Sequence, residues 1–355
     1  MSGNDDIFGR IVDEQALRER LERELGPAET FEVSRHQAGH SNETLFITWG
    51  DESLVVRRPP VGATADSAHD ILREYRVMDA LQETSVRVPR TEFACEDHAV
   101  MGCDFYVMER LDGDVLRQME PSQYRDPESR QRIGEELVDR LVEIHAVDYE
   151  AAGLAELGRP EGYTQRQVER WHKQLDWAVD ATADERELPF VDEITTWLDG
   201  NVPESSPQTL VHGDYKLDNV MFNGSTPPEI ISVLDWEMGS LGDPLTDLGW
   251  LLLFWHDPED SEPAVPALMP SFTEHEGYPS KQDLVDRYER RSGRQFENQQ
   301  FYRVLAAYKL LGICEMFFRR HLEGETDDQL YPKMRNQVPT LAEHTSRIID
   351  GEMPL

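Results

Sequence analysis

Positive charge is scarce in this 355-residue chain, which carries 35 Lys and Arg against 70 Asp and Glu, a formal net charge of −35. Only five of its residues are lysines. A protein that binds phosphate backbones needs a basic face, so the deficit argues against a nucleic-acid partner. The same deficit argues against docking on an anionic membrane surface.

Cysteines and long apolar runs are also few. The three cysteines have no C-x-x-C spacing, which indicates buried thiols and neither a disulfide framework nor a zinc site. The longest apolar run, residues 248–255, is far too short to cross a bilayer. The N-terminal stretch is polar and acidic, unlike a signal peptide. We therefore expect a soluble, cytoplasmic protein, and the sequence does not indicate its oligomeric state.

The acidic excess is typical of proteins that stay soluble in concentrated salt, where strong screening tolerates dense negative charge. A halophilic protein is therefore expected, with an acidic mesophilic enzyme as the alternative. A hydrophobic content of 39% with 13 Phe, 11 Tyr and 7 Trp can fill a core, which argues against global disorder. The length suits two lobes that share a cleft.

Local patterns divide the chain near residue 110. Before this point, helical spacing covers residues 11–25 and 65–81, and short apolar runs predict five strands. These runs are residues 31–35, 44–49, 54–58, 91–95 and 105–109. Residues 1–110 are thus predicted to form a small antiparallel sheet with one main helix.

Residues 111–355 are predicted to be mostly helical. Apolar residues at helical spacing predict helices at 127–147, 243–255, 281–291, 300–321 and 338–349, with two more inside 161–200. The period changes where short strands at 210–211 and 230–234 flank a polar loop. The acidic, proline-rich stretch 257–270 is predicted to be a surface loop. Together the two parts predict an α+β fold.

The polar loop carries the densest chemical signal, the sequence HGDYKLDN at 212–219. Asp214 and Asn219 can both point into one cleft, where Asp235, after the next strand, can meet Asn219. Two oxygen ligands of this kind suit Mg²⁺, which takes its other ligands from water and phosphates. Asp214 is then free to accept a hydroxyl proton and orient a nucleophile. Phosphoryl transfer from a nucleoside triphosphate needs these parts.

The spacing H-x-D-x-x-x-x-N followed by a metal-binding Asp resembles the catalytic signature of the protein-kinase-like fold. The variant HGD at 212–214 is similar to the aminoglycoside phosphotransferase and choline kinase branch. FYVMER at 105–110 and VLDWEMGSLGDPLTDL at 233–248 resemble the kinase-like domain associated with acyl-CoA dehydrogenases. The resemblance covers about residues 31–321. It implies a bilobal fold with a nucleotide-binding N-lobe, 1–110, and a catalytic and acceptor-binding C-lobe, 111–355.

For the C-lobe, the resemblance implies that Asp214 is the catalytic base and that Lys216 lies near the transferring phosphoryl group. A tolerated surface lysine is the alternative for Lys216. Asn219 and Asp235 are implied to hold Mg²⁺.

Three further C-lobe residues are implied to support this site. His212 is expected to hold the loop backbone rather than to move a proton. Asp247 is expected to bind the backbone amides of the same loop. Glu237 either assists the metal or bonds to the loop, and both roles stay open.

For the N-lobe, the resemblance implies a phosphate-covering loop at 37–42, with Gly39, Ser41 and Asn42 facing phosphate oxygens through their backbone N–H groups. A bare hairpin turn is the alternative. Arg57, with Arg58 as the competing candidate, is implied to contact the α- and β-phosphates. Glu74 is its implied ion-pair partner.

The adenine-contacting hinge is implied at Met108, Glu109 and Arg110, mostly through backbone. Their side chains are otherwise expected to be only core and surface.

The implied activity is that of an ATP- and Mg²⁺-dependent kinase acting on a small-molecule hydroxyl, with a hydroxyacyl-CoA or hydroxy acid as the suggested acceptor. An aminoglycoside- or sugar-type phosphotransferase and a nucleotide-binding pseudokinase are the alternatives. The intact Asp214, Asn219 and Asp235 argue against the pseudokinase. The choice between ATP and GTP is open.

Overall fold

The computed structural model describes residues 11–36, 42–60, 71–159, 161–204, 208–326, 328–353 and 355. They form two units. The first contains the described residues up to Gly113 together with Ile231–Gly239, and the second contains Asp114–Ile230 and Ser240–Leu355. The prediction divided the chain once, near residue 110, and did not anticipate that 231–239 belongs to the first unit. This return of the chain places Asp235 and Glu237 in the first unit.

A five-stranded antiparallel sheet forms the framework of the first unit, with the strand order β1-β2-β3-β5-β4. The strands are β1 (Phe31–His36), β2 (Glu43–Trp49), β3 (Glu52–Arg58), β4 (Thr91–Cys95) and β5 (Phe105–Glu109). All five predicted strands are present within two residues of their predicted ends. β2 and β3 are joined by a tight turn, in which Gly50 adopts the left-handed conformation with φ of +60°.

Side chains of the sheet alternate between two faces. One face buries Leu45, Leu54 and Val107 in a core that also contains Leu17 and Leu21 of helix α1 (Glu14–Leu25). The opposite face contacts helix α2 (Ile71–Leu81). Residues 65–70 of the predicted second helix lie outside the described residues. A short helix α3 (His98–Met101), which was not predicted, also contributes to the core.

The second unit is mostly helical, as predicted. Its helices are α4 (Pro127–His145), α5 (Tyr163–Thr182), α6 (Val191–Gly200), α7 (Pro244–Leu253), α8 (Lys281–Ser292), α9 (Gln299–Leu322) and α10 (Met334–Ile349). Helix α9 packs against α5, α7 and α10. Gly249 allows α7 to approach α9 closely, because a Cβ at this position would lie 2.7 Å from the carbonyl oxygen of Tyr302.

Four short strands complete the elements, β6 (Thr209–Val211), β7 (Val220–Phe222), β8 (Ile230–Val233) and β9 (Ser240–Gly242). β6 pairs antiparallel with β9. Neither β7 nor β9 was predicted, and β7 occupies the end of the predicted polar loop. The signature loop therefore begins directly after β6 and leads into β7.

Two smaller predictions need correction or completion. The 257–270 stretch has no helix or strand, but Val265 and Met269 are buried, so it is not wholly a surface loop. All three cysteines are free, with Cys95 and Cys314 buried and Cys103 half-buried.

Among the described residues, no helix combines the length and apolar character needed to span a membrane.

Candidate active site

The signature loop is held by a buried carboxylate on α7. Asp247 accepts the backbone N–H of His212 at 2.7 Å on Oδ2 and that of Gly213 at 2.8 Å on Oδ1. His145, at the end of α4, lies 3.2 Å from the same Oδ2 through its Nε2 atom. Burial alone would raise the pKa of Asp247, but the hydrogen bond from His145 and the nearby His212 lower it overall. A charged carboxylate therefore fixes the loop backbone, which is the role that the resemblance implied.

His212 is also fully buried. Its Nδ1 accepts the backbone N–H of Asp214 at 3.2 Å, and its ring meets the ring of Tyr215 edge-on at 5.8 Å. Both contacts act on the shape of the loop. They are the contacts of a structural residue rather than of a proton shuttle.

Asp214 receives three donors on its two carboxylate oxygens. Trp250 Nε1 donates to Oδ1 at 2.7 Å. Lys216 Nζ and Asn219 Nδ2 donate to Oδ2 at 2.8 and 2.7 Å. Burial would raise the pKa of Asp214, but the ammonium groups of Lys216 and Lys309 lower it overall. The side chain is 23% exposed, so a charged, oriented carboxylate stays accessible at the surface of the loop.

Asn219 lies on a single 3-10 turn, Leu217–Asn219, at the end of the loop. Its Nδ2 also donates to the backbone carbonyl of Asp214 at 2.8 Å. An amide that donates through nitrogen points its oxygen the other way, and this oxygen is the predicted metal ligand. The structure thus brings Asp214 and Asn219 together with Lys216.

Two residues of this site were missed in the sequence. Trp250 was not singled out, yet its indole N–H donates to Asp214. Lys309, on α9, was not singled out, although its Nζ lies 3.8 Å from the centre of the Trp250 ring and donates to the carbonyl of Gly213. The available signal was a lysine inside an apolar helical run, in a chain with only five lysines.

The first unit contains a second cluster of charged residues. Arg57 Nη2 lies 3.5 Å from Glu74 Oε2, and both side chains are largely buried. Burial would lower the pKa of Arg57, but the carboxylates of Glu74, Asp235 and Glu237 raise it overall. Burial raises the pKa of Glu74, and Arg57 only partly offsets this. Among the described residues, Arg57 Nε has no hydrogen-bond partner and Nη2 has only the 3.5 Å ion pair with Glu74, so Nε is the donor left for an anion.

Arg58 points to the other face of β3 and is used differently. It donates to the backbone carbonyls of Ile11, Pro59 and Met101. Those contacts occupy its guanidinium inside the first unit. Of the two candidates, Arg57 is therefore the one with a donor available beside Glu74.

Asp235 has a left-handed backbone with φ of +64°. Its Oδ1 is buried and has no hydrogen-bond partner among the described residues. A buried carboxylate oxygen without a donor is costly unless a cation compensates it, so this oxygen fits a metal ligand. Glu237 accepts a long hydrogen bond of 3.4 Å from Asn42 Nδ2. Asp235 and Asn219 belong to different units, and their convergence on one ion stays a prediction.

Within the described ranges, no three His, Cys, Asp or Glu side chains gather as a multi-ligand metal site. Mg²⁺ does not need such a group, because it is often bound by one or two carboxylates together with phosphates and water. The residues present are compatible with this kind of binding.

The predicted nucleotide loop and hinge are described only in part. Gly39 and Ser41 lie outside the described residues, and Asn42 is buried. At the end of β5, the backbone N–H of Glu109 donates to Arg90 and that of Arg110 donates to Ser53, both at 2.8 Å. An adenine contact at these two residues would therefore use carbonyl groups.

Side chains at the hinge also have partners. The Arg110 guanidinium lies 3.9 Å over the ring of Phe46, and the Glu109 carboxylate accepts the backbone N–H of Arg90 at 2.8 Å. Met108 pairs with Val55 of β3 in the sheet.

Comparisons with known proteins agree with the family resemblance found in the sequence. Residues 32–278 match the model of the phosphotransferase enzyme family. Acyl-CoA dehydrogenase family member 11 of Rattus norvegicus is 34% identical over 318 residues, which cover 88% of this chain and 39% of that protein. The chain therefore spans about two fifths of the length of this curated relative.

Solved structures agree. A Ralstonia eutropha protein provisionally named an aminoglycoside phosphotransferase is 30% identical, with a TM-score of 0.78 over 95% of this chain and 99% of that one. Choline kinase from Cryptosporidium parvum shares the fold at 13% identity, with a TM-score of 0.62 over 96% of this chain and 98% of that one. These matches confirm the resemblance and the predicted α+β, protein-kinase-like fold.

Proposed function

As a member of the phosphotransferase enzyme family, this chain is a small-molecule phosphotransferase acting on a hydroxyl group, and we propose that its donor is ATP with Mg²⁺. For the phosphoryl transfer itself, the observation that carries the proposal is the Asp214 carboxylate, which three donors orient and whose pKa two lysines lower. A base held in this way matches the acceptor-orienting Asp of phosphoryl transfer.

In the proposed reaction, the acceptor hydroxyl donates a hydrogen bond to Asp214, which aligns the acceptor oxygen with the γ-phosphorus. A bond forms between that oxygen and the γ-phosphorus as the bond to the β-γ bridging oxygen breaks, and ADP leaves. The hydroxyl proton passes to Asp214 and then to solvent. Lys216, 2.8 Å from Asp214, offsets the negative charge that develops on the transferring group.

Other residues act on the donor. Arg57 supplies its available guanidinium donor to the α- and β-phosphates, and Glu74 holds it in place. Mg²⁺, when bound, neutralises charge on the phosphates, and Asn219 and Asp235 are the residues that would hold it. The loop at 37–42 and the hinge at 108–110 keep the nucleotide-binding roles that the resemblance implied.

For the acceptor, we favour an anionic hydroxy compound, either a hydroxyacyl-CoA or a hydroxy acid. Lys216, one of only five lysines, is 15% exposed beside Asp214 and offers a cation that an anionic acceptor can contact. The name of the rat relative points to acyl-CoA chemistry in the protein of which the similar region is part. An aminoglycoside or sugar is the second candidate, favoured by the name of the Ralstonia neighbour.

The test measures Mg²⁺-dependent ADP formation in molar KCl against hydroxyacyl-CoAs, hydroxy acids, sugars and aminoglycosides. Asp214→Asn should lower kcat at least about 100-fold, because it removes the base, and should change ATP affinity little. Asp180→Asn, at an exposed position on α5, is the matched control. Full turnover in Asp214→Asn would remove Asp214 from its role, and ATP binding without turnover on any acceptor would identify a pseudokinase.

A further inference from the structure

The three donors on Asp214 do not use all of its capacity. A carboxylate has about four lone-pair positions, two on each oxygen. Oδ2 accepts from Lys216 and Asn219, whereas Oδ1 accepts only from Trp250 among the described residues. The remaining acceptor position is therefore on Oδ1, beside the indole N–H.

The indole is itself held by a buried cation. Lys309 Nζ lies 3.8 Å over the Trp250 ring and 5.7 Å from the Trp171 ring. The same ammonium donates to the carbonyl of Gly213, the residue before Asp214. Lys309 thus contacts both Trp250, which donates to the Asp214 carboxylate, and the backbone next to Asp214. A cation on a ring face also draws electron density from the ring, which makes the indole N–H a stronger donor.

We propose that Lys309 and Trp250 form a positioning pair that fixes the Asp214 carboxylate so that the acceptor hydroxyl binds Oδ1. This inference rests on the proposed function, since it names how the same base is aimed. Neither residue of the pair contacts the reacting atoms in this scheme. Their effect is on the direction and the ionisation of Asp214.

The pair depends on the charge of Lys309. The charged groups around it are Asp214, Asp247, Lys216 and Arg170. Burial lowers the pKa of Lys309 to about 8, although the two carboxylates raise it. As the pH rises through this value, the ammonium loses its proton and the contact with the indole weakens, so kcat should fall on the alkaline side.

The first experiment follows the pair without any catalysis. The indole N–H signals of the 7 tryptophans are recorded by NMR, and the signal absent from Trp250→Phe identifies Trp250. In the wild-type protein this signal should shift with a midpoint near pH 8. The shift should be missing in Lys309→Met and present in Lys333→Met, a control at an exposed lysine. A Trp250 signal that does not respond between pH 6 and 10 overturns the pairing, even if the enzyme is active.

The second experiment uses kinetics. Lys309→Met and Trp250→Phe should each lower kcat at least about tenfold and change the KM for ATP less than about twofold, because both act on the base and not on the nucleotide. The double variant should lose little more than either single variant, since the two residues act as one unit. Lys309→Arg, which keeps its charge, should regain activity and lose the alkaline limb. Additive losses, or full activity in Lys309→Met, would overturn the proposal.

The failures of the two proposals differ. If the wild-type protein phosphorylates no acceptor, the proposed function fails while the NMR titration still decides the pairing. If turnover is normal and the titration is absent, only the positioning pair fails.

Discussion

Replacing Asp247 by Asn tests how much the loop anchor contributes to folding. The carboxylate accepts two backbone N–H groups, of His212 and Gly213, and is 1% exposed. An Asn side chain has one acceptor oxygen, so its NH2 group, which can only donate, would face one of these two backbone N–H groups. That buried donor is orphaned, at a cost of about 1–3 kcal/mol. The surviving bond changes from charged to neutral, which costs about 1 kcal/mol more.

We therefore expect Asp247→Asn to lower the free energy of unfolding by about 2–4 kcal/mol at neutral pH. Urea unfolding followed by fluorescence measures this value. Asp180→Asn on the exposed side of α5 should stay within about 0.5 kcal/mol of wild type.

The pH dependence has a definite sign. The folded-state pKa of Asp247 lies below its usual value, so its stabilisation is present above the unfolded-state pKa of about 3.9 and is lost as the pH falls through the folded-state value. The stability gap between wild type and Asp247→Asn should thus narrow on acidification. A gap under about 0.5 kcal/mol at neutral pH, or one that widens in acid, would refute the anchoring argument.

Two other predictions concern the metal and the surface charge. Asp235→Ala should weaken Mg²⁺-dependent nucleotide binding, measured by calorimetry, at least about tenfold, because it removes a buried carboxylate oxygen that lacks a donor. The control Asp51→Ala, in the exposed β2–β3 turn, should leave this binding unchanged. Unchanged Mg²⁺ dependence in Asp235→Ala would count against Asp235 as a metal ligand. Raising KCl from about 0.1 M to about 1 M shortens the Debye length from about 10 Å to about 3 Å. The weaker repulsion within a chain of net charge −35 should raise its Tm. A Tm that falls as salt is added would contradict the salt-adaptation hypothesis.

Local patterns were sufficient for most of the fold. The predicted strands 91–95 and 105–109 are β4 and β5 without change. Helix ends were less predictable. Helix α10 begins at Met334, before the predicted start at 338, and follows directly on a 3-10 turn, Tyr331–Lys333. Helix α7 ends at Leu253 rather than at 255.

Contacts between distant parts of the chain could not be predicted in this way. β9 exists because Ser240 pairs with Val211, and neither residue has a local pattern that indicates the other. The loop pattern pointed to Asp214 and Asn219, and the family resemblance added Lys216. Lys309 lies 93 positions after Lys216 in the sequence and joins the site only through the packing of α9 on α7. Its role depends on tertiary structure that periodicity does not contain.

Helix α7 carries both Asp247 and Trp250, three residues apart and therefore on one side of the helix. One of them holds the backbone of the signature loop and the other holds the carboxylate of Asp214. Any small displacement of this helix moves both supports together and so preserves the distance between them. A residue inserted between positions 247 and 250 would move Trp250 about 100° around the helix axis and about 1.5 Å along it relative to Asp247, so the two contacts could no longer be made together. The count of residues within that one turn of α7 therefore sets the spacing of the two supports.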